Sequence, residues 1–163
     1  MQLLFRPQSL YFLLAALCAA AMFLFPINSY EQTRPDSLQL FEHRVPGFVS
    51  GEGIAVVDVE PLIPIRIIVP VLIGIMLISI FLFGNRKRQM TVARSSYFIS
   101  LFVIAGAYMA NSAFVGYLSK NAVVSSSFGV SFYLPFAVIA FTWLGIRSVK
   151  KDEDLVSSLD RLR

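Results

Sequence analysis

The chain has 163 residues, 56% hydrophobic and 15% charged, with a formal net charge of +4 and a mean hydropathy of +0.70. A soluble domain holds roughly 45–50% apolar and about 25% charged residues, so this composition implies lipid as the solvent. One cysteine and one histidine exclude a disulfide framework, a zinc knuckle, a cysteine–histidine nucleophile and a bis-histidine haem.

A helix needs roughly 20 mostly apolar residues to cross the hydrocarbon core. Four stretches meet that need, and they predict spans at about 9–27, 64–84, 95–118 and 131–148. The first is read as a retained anchor, because its apolar run is longer than a signal-peptide core and no small-x-small site follows it. The expected fold is therefore an all-α membrane protein: one domain over 1–163, a four-transmembrane-helix bundle.

Between the first two spans lies an outer loop, 28–63. Its alternating stretch Ser37-Leu38-Gln39-Leu40-Phe41-Glu42 and its β-rich run Ile54-Ala55-Val56-Val57-Asp58-Val59 predict a small hairpin. Such a hairpin is marginal alone and must lean on its own helices or on a partner. His43 lacks companions for a metal site and is expected to be a solvated or hydrogen-bonded loop residue. Between the last two spans, Ser119-Lys120-Asn121 and Ser125-Ser126-Ser127 predict a polar turn, with Ser131 a candidate N-cap.

Charge sets the orientation. Arg6, Arg86, Lys87, Arg88, Arg94, Arg147, Lys150, Lys151, Arg161 and Arg163 fall on one side, against Arg34, Arg44, Arg66 and Lys120 on the other. The positive-inside rule places both termini, the 85–94 loop and the 149–163 tail in the cytoplasm. The basic residues serve as topology and headgroup signals, so no nucleic acid is expected.

The four spans contain no Asp, Glu, His or Lys, which disfavours pumps, proton-coupled carriers and haem subunits. Asn111 and Ser112 are the candidate intramembrane polar contact, for a neighbouring helix or a ligand. Small residues at Ala16, Ala20, Gly106, Ala110 and Gly116 are the candidate packing positions, within the bundle or against a partner helix. Cys18 has no basic neighbour to activate it.

Three stretches carry a family resemblance. The opening Arg6-Pro7-Gln8-Ser9-Leu10-Tyr11-Phe12-Leu13-Leu14 is similar to R-x-Q-[ST]-L-Y-x-L-L. The centre, Phe81 to Met90, contains Asn85-Arg86-Lys87-Arg88-Gln89, an N-R-x-x-Q pattern. The end runs from Phe132-Tyr133-Leu134-Pro135 to Lys151-Asp152-Glu153-Asp154-Leu155-Val156 and Leu159-Asp160-Arg161-Leu162-Arg163. These resemble a bacterial, mainly Bacteroidota, membrane family known as domain of unknown function 4293. One departure is visible: that family has V-R-S where this chain has Val156-Ser157-Ser158. The resemblance implies four spans in an inner membrane and no particular activity. It also implies a cytoplasmic interaction motif of Asn85, Arg86, Lys87, Gln89, Lys151, Asp152, Glu153, Asp160, Arg161 and Arg163, with loop and tail docked by salt bridges.

With no nucleophile–base or metal constellation, the expected protein is not an enzyme and needs no cofactor. The expected function is a non-catalytic inner-membrane accessory or scaffold subunit, partnered by lipid and by other membrane subunits or its own copies. The alternative is a small-solute or lipid carrier or channel, its cavity lined by Asn111, Ser112, Ser79 and Tyr108.

Overall fold

The computed structural model describes residues 7–35, 37–54, 56, 62–120 and 122–161, the stretch 155–161 by backbone alone. The elements are α1 (Pro7–Ala21), β1 (Asn28–Arg34), β2 (Ser37–Arg44), β3 (Gly47–Ser50), α2 (Ile65–Phe81), α3 (Arg86–Leu118), β4 (Val123–Phe128) and α4 (Val130–Arg161). One turn of 3-10 helix, Leu82–Gly84, joins α2 to α3. α1 packs against α2 and α4, and α3 packs against the same two helices. Their shared interior holds Phe12, Ala15, Ala16, Ala19, Leu72, Met76, Ala93, Val138 and Val149.

α3 and α4 run antiparallel in a constant register. Arg86 meets Asp152 at one level, and Ser96 meets Thr142 one stretch further along, ten residues on in both helices. The same register sets Ala107 level with Ser131, at the start of α4. Residues 109–118 of α3 therefore overhang the start of α4, Val130, by about 15 Å at 1.5 Å per residue.

The overhang is covered by a sheet. Its strand order is β3-β2-β1-β4, with every pair antiparallel. β1 turns Asn28, Tyr30 and Gln32 inward while Glu31 and Thr33 stay exposed, the period of two that a one-sided strand requires. Asn28 Nδ2 reaches the Ala107 carbonyl at 3.5 Å and Gln32 Nε2 donates to the Leu118 carbonyl at 2.9 Å, so β1 lies along the overhang. Leu118 is the last residue of α3, and Gln32 satisfies one of the carbonyls that a helix end leaves open.

Four expectations are corrected. The chain is not an all-α bundle, because two loops far apart in sequence contribute strands to one four-stranded sheet. The expected polar turn at Ser125-Ser126-Ser127 is the middle of β4, paired with β1. Among the described residues two helices, not four, are long and apolar enough to cross a membrane: Arg86–Leu118 and the Val130–Asp154 part of α4. At 15 and 17 residues, α1 and α2 reach about 22 Å and 26 Å, short of a core about 30 Å thick. α1 stops early because the Met22, Phe23 and Leu24 N–H groups tighten into turns ahead of Pro26. Finally, the 85–94 loop is helical from Arg86 on, as the first turns of α3; the tail continues α4 through Arg161, the helical extension that its apolar spacing suggests. Arg163 lies outside the described residues.

Only 33% and 28% of the most apolar stretches of α3 and α4 are buried within the protein, so most of each faces outward. Large apolar residues such as Phe98, Leu101, Phe102, Tyr133, Phe136 and Trp143 are exposed along them. Their length and outward apolarity suit a membrane-associated chain.

The crossing between β1 and α4 is held by backbone contact. Gly129 N–H donates to the Ile27 carbonyl, and a Cβ at Gly129 would run into the Pro26 carbonyl oxygen. Gly116, on the exposed side of the overhang, has nothing within 4 Å of such a Cβ. Gly129→Ala is expected to lower the detergent-solubilised melting temperature clearly, whereas Gly116→Ala holds or raises it by the helix preference of about 0.5–1 kcal/mol. Thermal unfolding of the two variants side by side measures this.

Candidate functional site

The end of the helices that carries Arg86, here the basic end, gathers most of the motif residues. Asn85 precedes α3, and its side-chain oxygen accepts from Arg88 N–H at 3.2 Å, a cap on the first turn. Arg86 Nη1 donates to the backbone carbonyl of Asp152 at 2.9 Å, which latches the extension of α4 to the start of α3. Gln89 is fully buried, and its Nε2 donates to the Ser79 carbonyl at 2.8 Å in the last turn of α2. That carbonyl would otherwise be one of the open acceptors at a helix end. The docking of loop and tail is thus a side-chain-to-backbone hydrogen bond at Arg86. Lys87, Arg88 and Lys151 are exposed, and Asp152 and Glu153 are half-buried. Asp160 and Arg161 belong to the last turns of α4, where the backbone alone is described.

The intramembrane candidates fall elsewhere. Asn111 and Ser112 lie on the overhang of α3, past the level where α4 begins, Asn111 half-buried and Ser112 exposed. Of the small residues, Ala16, Gly106 and Ala110 are buried, while Ala20 and Gly116 face outward. A Cβ on Gly106 would lie 2.9 Å from Ile63 Cγ2, so Gly106 receives the chain entering α2, not a partner helix. Buried polar side chains among the helices include Gln8 and Ser9 of α1, Ser79 of α2, Gln89, Ser96 and Ser100 of α3 and Thr142 of α4. Thr142 Oγ1 donates to the Val138 carbonyl at 2.7 Å within its own helix.

At the sheet end, aromatic rings build a column on the overhang. His43 stacks on Phe48 with centroids 4.4 Å apart, and Phe48 stacks on Phe114 at 4.1 Å. Tyr30 meets Phe114 edge-on at 4.8 Å. His43 is a strand residue, 1% exposed, and not the solvated or hydrogen-bonded loop residue expected. Glu42 and Arg44 on either side of it pair with each other at 2.8 Å, away from the imidazole. Burial lowers the His43 pKa from 6.5 to about 4, and burial raises that of Tyr30 to about 12 against a small opposing effect of Asn28. The period-two spacing of Asn28, Tyr30 and Gln32 was the available signal for this face; their polarity hid it.

The cavities lie mainly around the sheet. One of about 250 Å³ is lined by His43, Val45, Pro46, Gly47, Leu62, Pro64, Ile65 and Arg66. An apolar groove of about 240 Å³ runs between α2 and α3, lined by Ile67, Ile68, Val71, Ile99 and Phe102. Asn111, Ser112, Ser79 and Tyr108 line neither.

The same chain, from the motif that opens α1 to the charged end of α4, is matched by one family model over residues 4–162, described as Domain of unknown function (DUF4293). The chain belongs to the DUF4293 family. No curated protein matches it. In this member of DUF4293, Asn85, Arg86 and Gln89 of the central motif serve three helix junctions, and Lys87 and Arg88 are the exposed cations between them.

Two outcomes follow from these sites. Arg86→Ala is expected to free the α4 extension, so that limited trypsin digestion at Lys150 and Lys151 accelerates about tenfold for a latch worth about 1.4 kcal/mol. For His43 the folded pKa lies below the unfolded one, so its stabilising contribution is complete above pH 6.5 and is lost as pH falls through about 4. The loss approaches the order of 3 kcal/mol at the acid limit. Melting temperatures of the parent should fall between pH 6.5 and 4, and those of His43→Phe should fall less.

Proposed function

We propose that this DUF4293 chain is a non-catalytic integral membrane protein, an accessory or scaffold subunit that works by assembling with other membrane subunits or with its own copies. α3 and α4 cross the cytoplasmic membrane of a bacterium, with α1 and α2 packed along them. The basic end, with Arg86, Lys87, Arg88, Arg94, Arg147, Lys150 and Lys151, faces the cytoplasm by the positive-inside rule. Both termini then face the cytoplasm and the sheet stands on the opposite side.

The observation that carries this reading is the outer edge of β4. The sheet has two edges, and they are treated differently. Along β3 the chain guards its own edge: Val56 N–H donates to the Phe48 carbonyl and Ser50 N–H to the Ile54 carbonyl. Along β4, no strand among the described residues pairs on the far side. Its sequence, Val-Val-Ser-Ser-Ser-Phe, has none of the charges or prolines with which proteins blunt an edge. The bond from Gly129 N–H to the Ile27 carbonyl sets the phase of the β1–β4 ladder. By the alternation of an antiparallel pair, the backbone groups of Val124, Ser126 and Phe128 point away from β1. An extended segment from another chain can add to that row, main chain to main chain.

Ser126→Pro tests the reading, because it deletes an outward N–H and leaves the β1–β4 bonds of Ser125 and Ser127 in place. The tagged parent, purified from native membranes in mild detergent, is expected to carry a stoichiometric companion or to run as an oligomer, and the variant to lose it. A parent that runs as a clean monomer, or a variant that keeps its companion in full, would overturn the proposal.

A further inference from the structure

The direction of β4 decides which chain can fill its edge. On α3, Ala107 and Leu118 lie eleven residues apart, about 16 Å along the axis. Asn28 and Gln32, which reach their carbonyls, lie four residues apart on β1, about 14 Å along an extended strand. The two lengths nearly match, so β1 runs almost parallel to α3. β4 runs back beside it, from Val123 opposite Thr33 to Phe128 opposite Asn28. With α3 across the membrane, β4 stands along the membrane normal, its Phe128 end nearest the lipid.

A second copy of this chain does not fit that edge. Copies inserted in one membrane share an orientation, so a two-fold axis between them lies along the normal. An antiparallel β4–β4 pair needs strands that point in opposite directions, which would invert one copy in the membrane. A parallel pair about a two-fold along the strand fares no better. It sets each outward N–H of Val124, Ser126 and Phe128 level with the same N–H of the other copy, donor against donor and carbonyl against carbonyl. Sliding one copy by a residue to restore the bonds would lift its helices about 3.3 Å out of level with the lipid.

The edge continues into an exposed aromatic strip. Phe128 stacks on Phe132 with centroids 4.2 Å apart, and Phe132 meets Tyr133 at 5.4 Å and Phe136, one turn further along α4, at 6.3 Å. Phe128, Tyr133 and Phe136 are all exposed. Edge and strip make one surface, with main-chain donors and acceptors outside the lipid and aromatic rings descending into it. We infer that this surface is filled by a different membrane protein: an extended extracytoplasmic segment of it pairs with β4, and its adjoining transmembrane helix lies along Phe132 and Phe136. The inference rests on the assembly reading, and it fixes the partner as a chain of another sequence.

Photo-crosslinking of the full chain in native membranes tests this. A benzophenone-bearing phenylalanine replaces Phe128 in one variant and Phe136 in another, so an aromatic ring stays at each exposed position. The cells carry the chain under two different tags. Irradiation is expected to join both variants to the same second chain, of a different sequence. The adduct from position 128 falls in an extracytoplasmic segment of that chain, and the adduct from position 136 in the apolar span next to it. Adding Ser126→Pro should cut the adduct from position 128 by about fivefold or more, the scale of one lost backbone hydrogen bond. An adduct between the two tags at position 128 would overturn the inference and leave the assembly reading standing. Adducts that fall in two unrelated chains, or an adduct at position 128 that Ser126→Pro leaves undiminished, overturn it as well. So does the absence of any adduct; the assembly reading falls with it where the parent also runs as a clean monomer.

Discussion

The structure depends on the overhang of α3. Ten residues, 109–118, continue past the level at which α4 begins, and they carry Ala110, Phe114 and Leu118 on one face. Left bare, that face would set apolar surface against water. The sheet removes it from solvent with Tyr30 and Phe48, and half-buried Phe41 packs beside them. Stacking of Phe48 on Phe114 fixes the sheet sideways, while Asn28 and Gln32 fix it lengthwise through two helix carbonyls sixteen ångströms or so apart along α3.

Once β1 is fixed, the surrounding chain has little freedom. Ile27 and Pro26 sit against Gly129, so the start of α4 is tied to the strand that leaves α1. The Ser131 hydroxyl donates to the Phe25 carbonyl at 2.7 Å, closing the same junction from the other side. Ser131 lies inside the first turn of α4 and not at its N-cap, and its hydroxyl ties that turn to the exit of α1. The buried cluster beneath, from Met22 to Val103, is the floor on which the sheet and the turn into α2 rest.

The opposite end follows a different logic. There the junctions use single polar side chains on backbone groups: Asn85 on α3, Gln89 on α2 and Arg86 on α4. A motif that reads in one dimension as a docking signal divides into structural groups that face in and cations that face out. The exposed remainder, Lys87, Arg88 and Lys151, is what a partner or an anionic headgroup would meet. The free edge of β4 is at the far end of the same helices, so assembly on one side leaves the other available.

Composition and periodicity alone determined much of this protein. The run lengths of apolar residues located all four helices, and the placement of arginine and lysine distinguished the basic end from the sheet end, because lipid and charge act on each segment separately. The central and terminal motifs identified the family. The alternation in Ser37–Glu42 found β2, but its neighbours are β1 and β3 and not the run from Ile54 to Val59, of which Ile54 and Val56 alone are described and neither is in a strand. What only the tertiary structure decided is whatever depends on two distant segments meeting. β4 is a serine-rich stretch that reads as a turn, and it is a strand only because β1 offers it a ladder. Asn28, Gln32 and His43 look like residues for water, and they are buried because the overhang of α3 supplies carbonyls and rings to receive them. Local chemistry sets what a segment can become, and the pairing energy of its neighbour, invisible in one dimension, selects what it is.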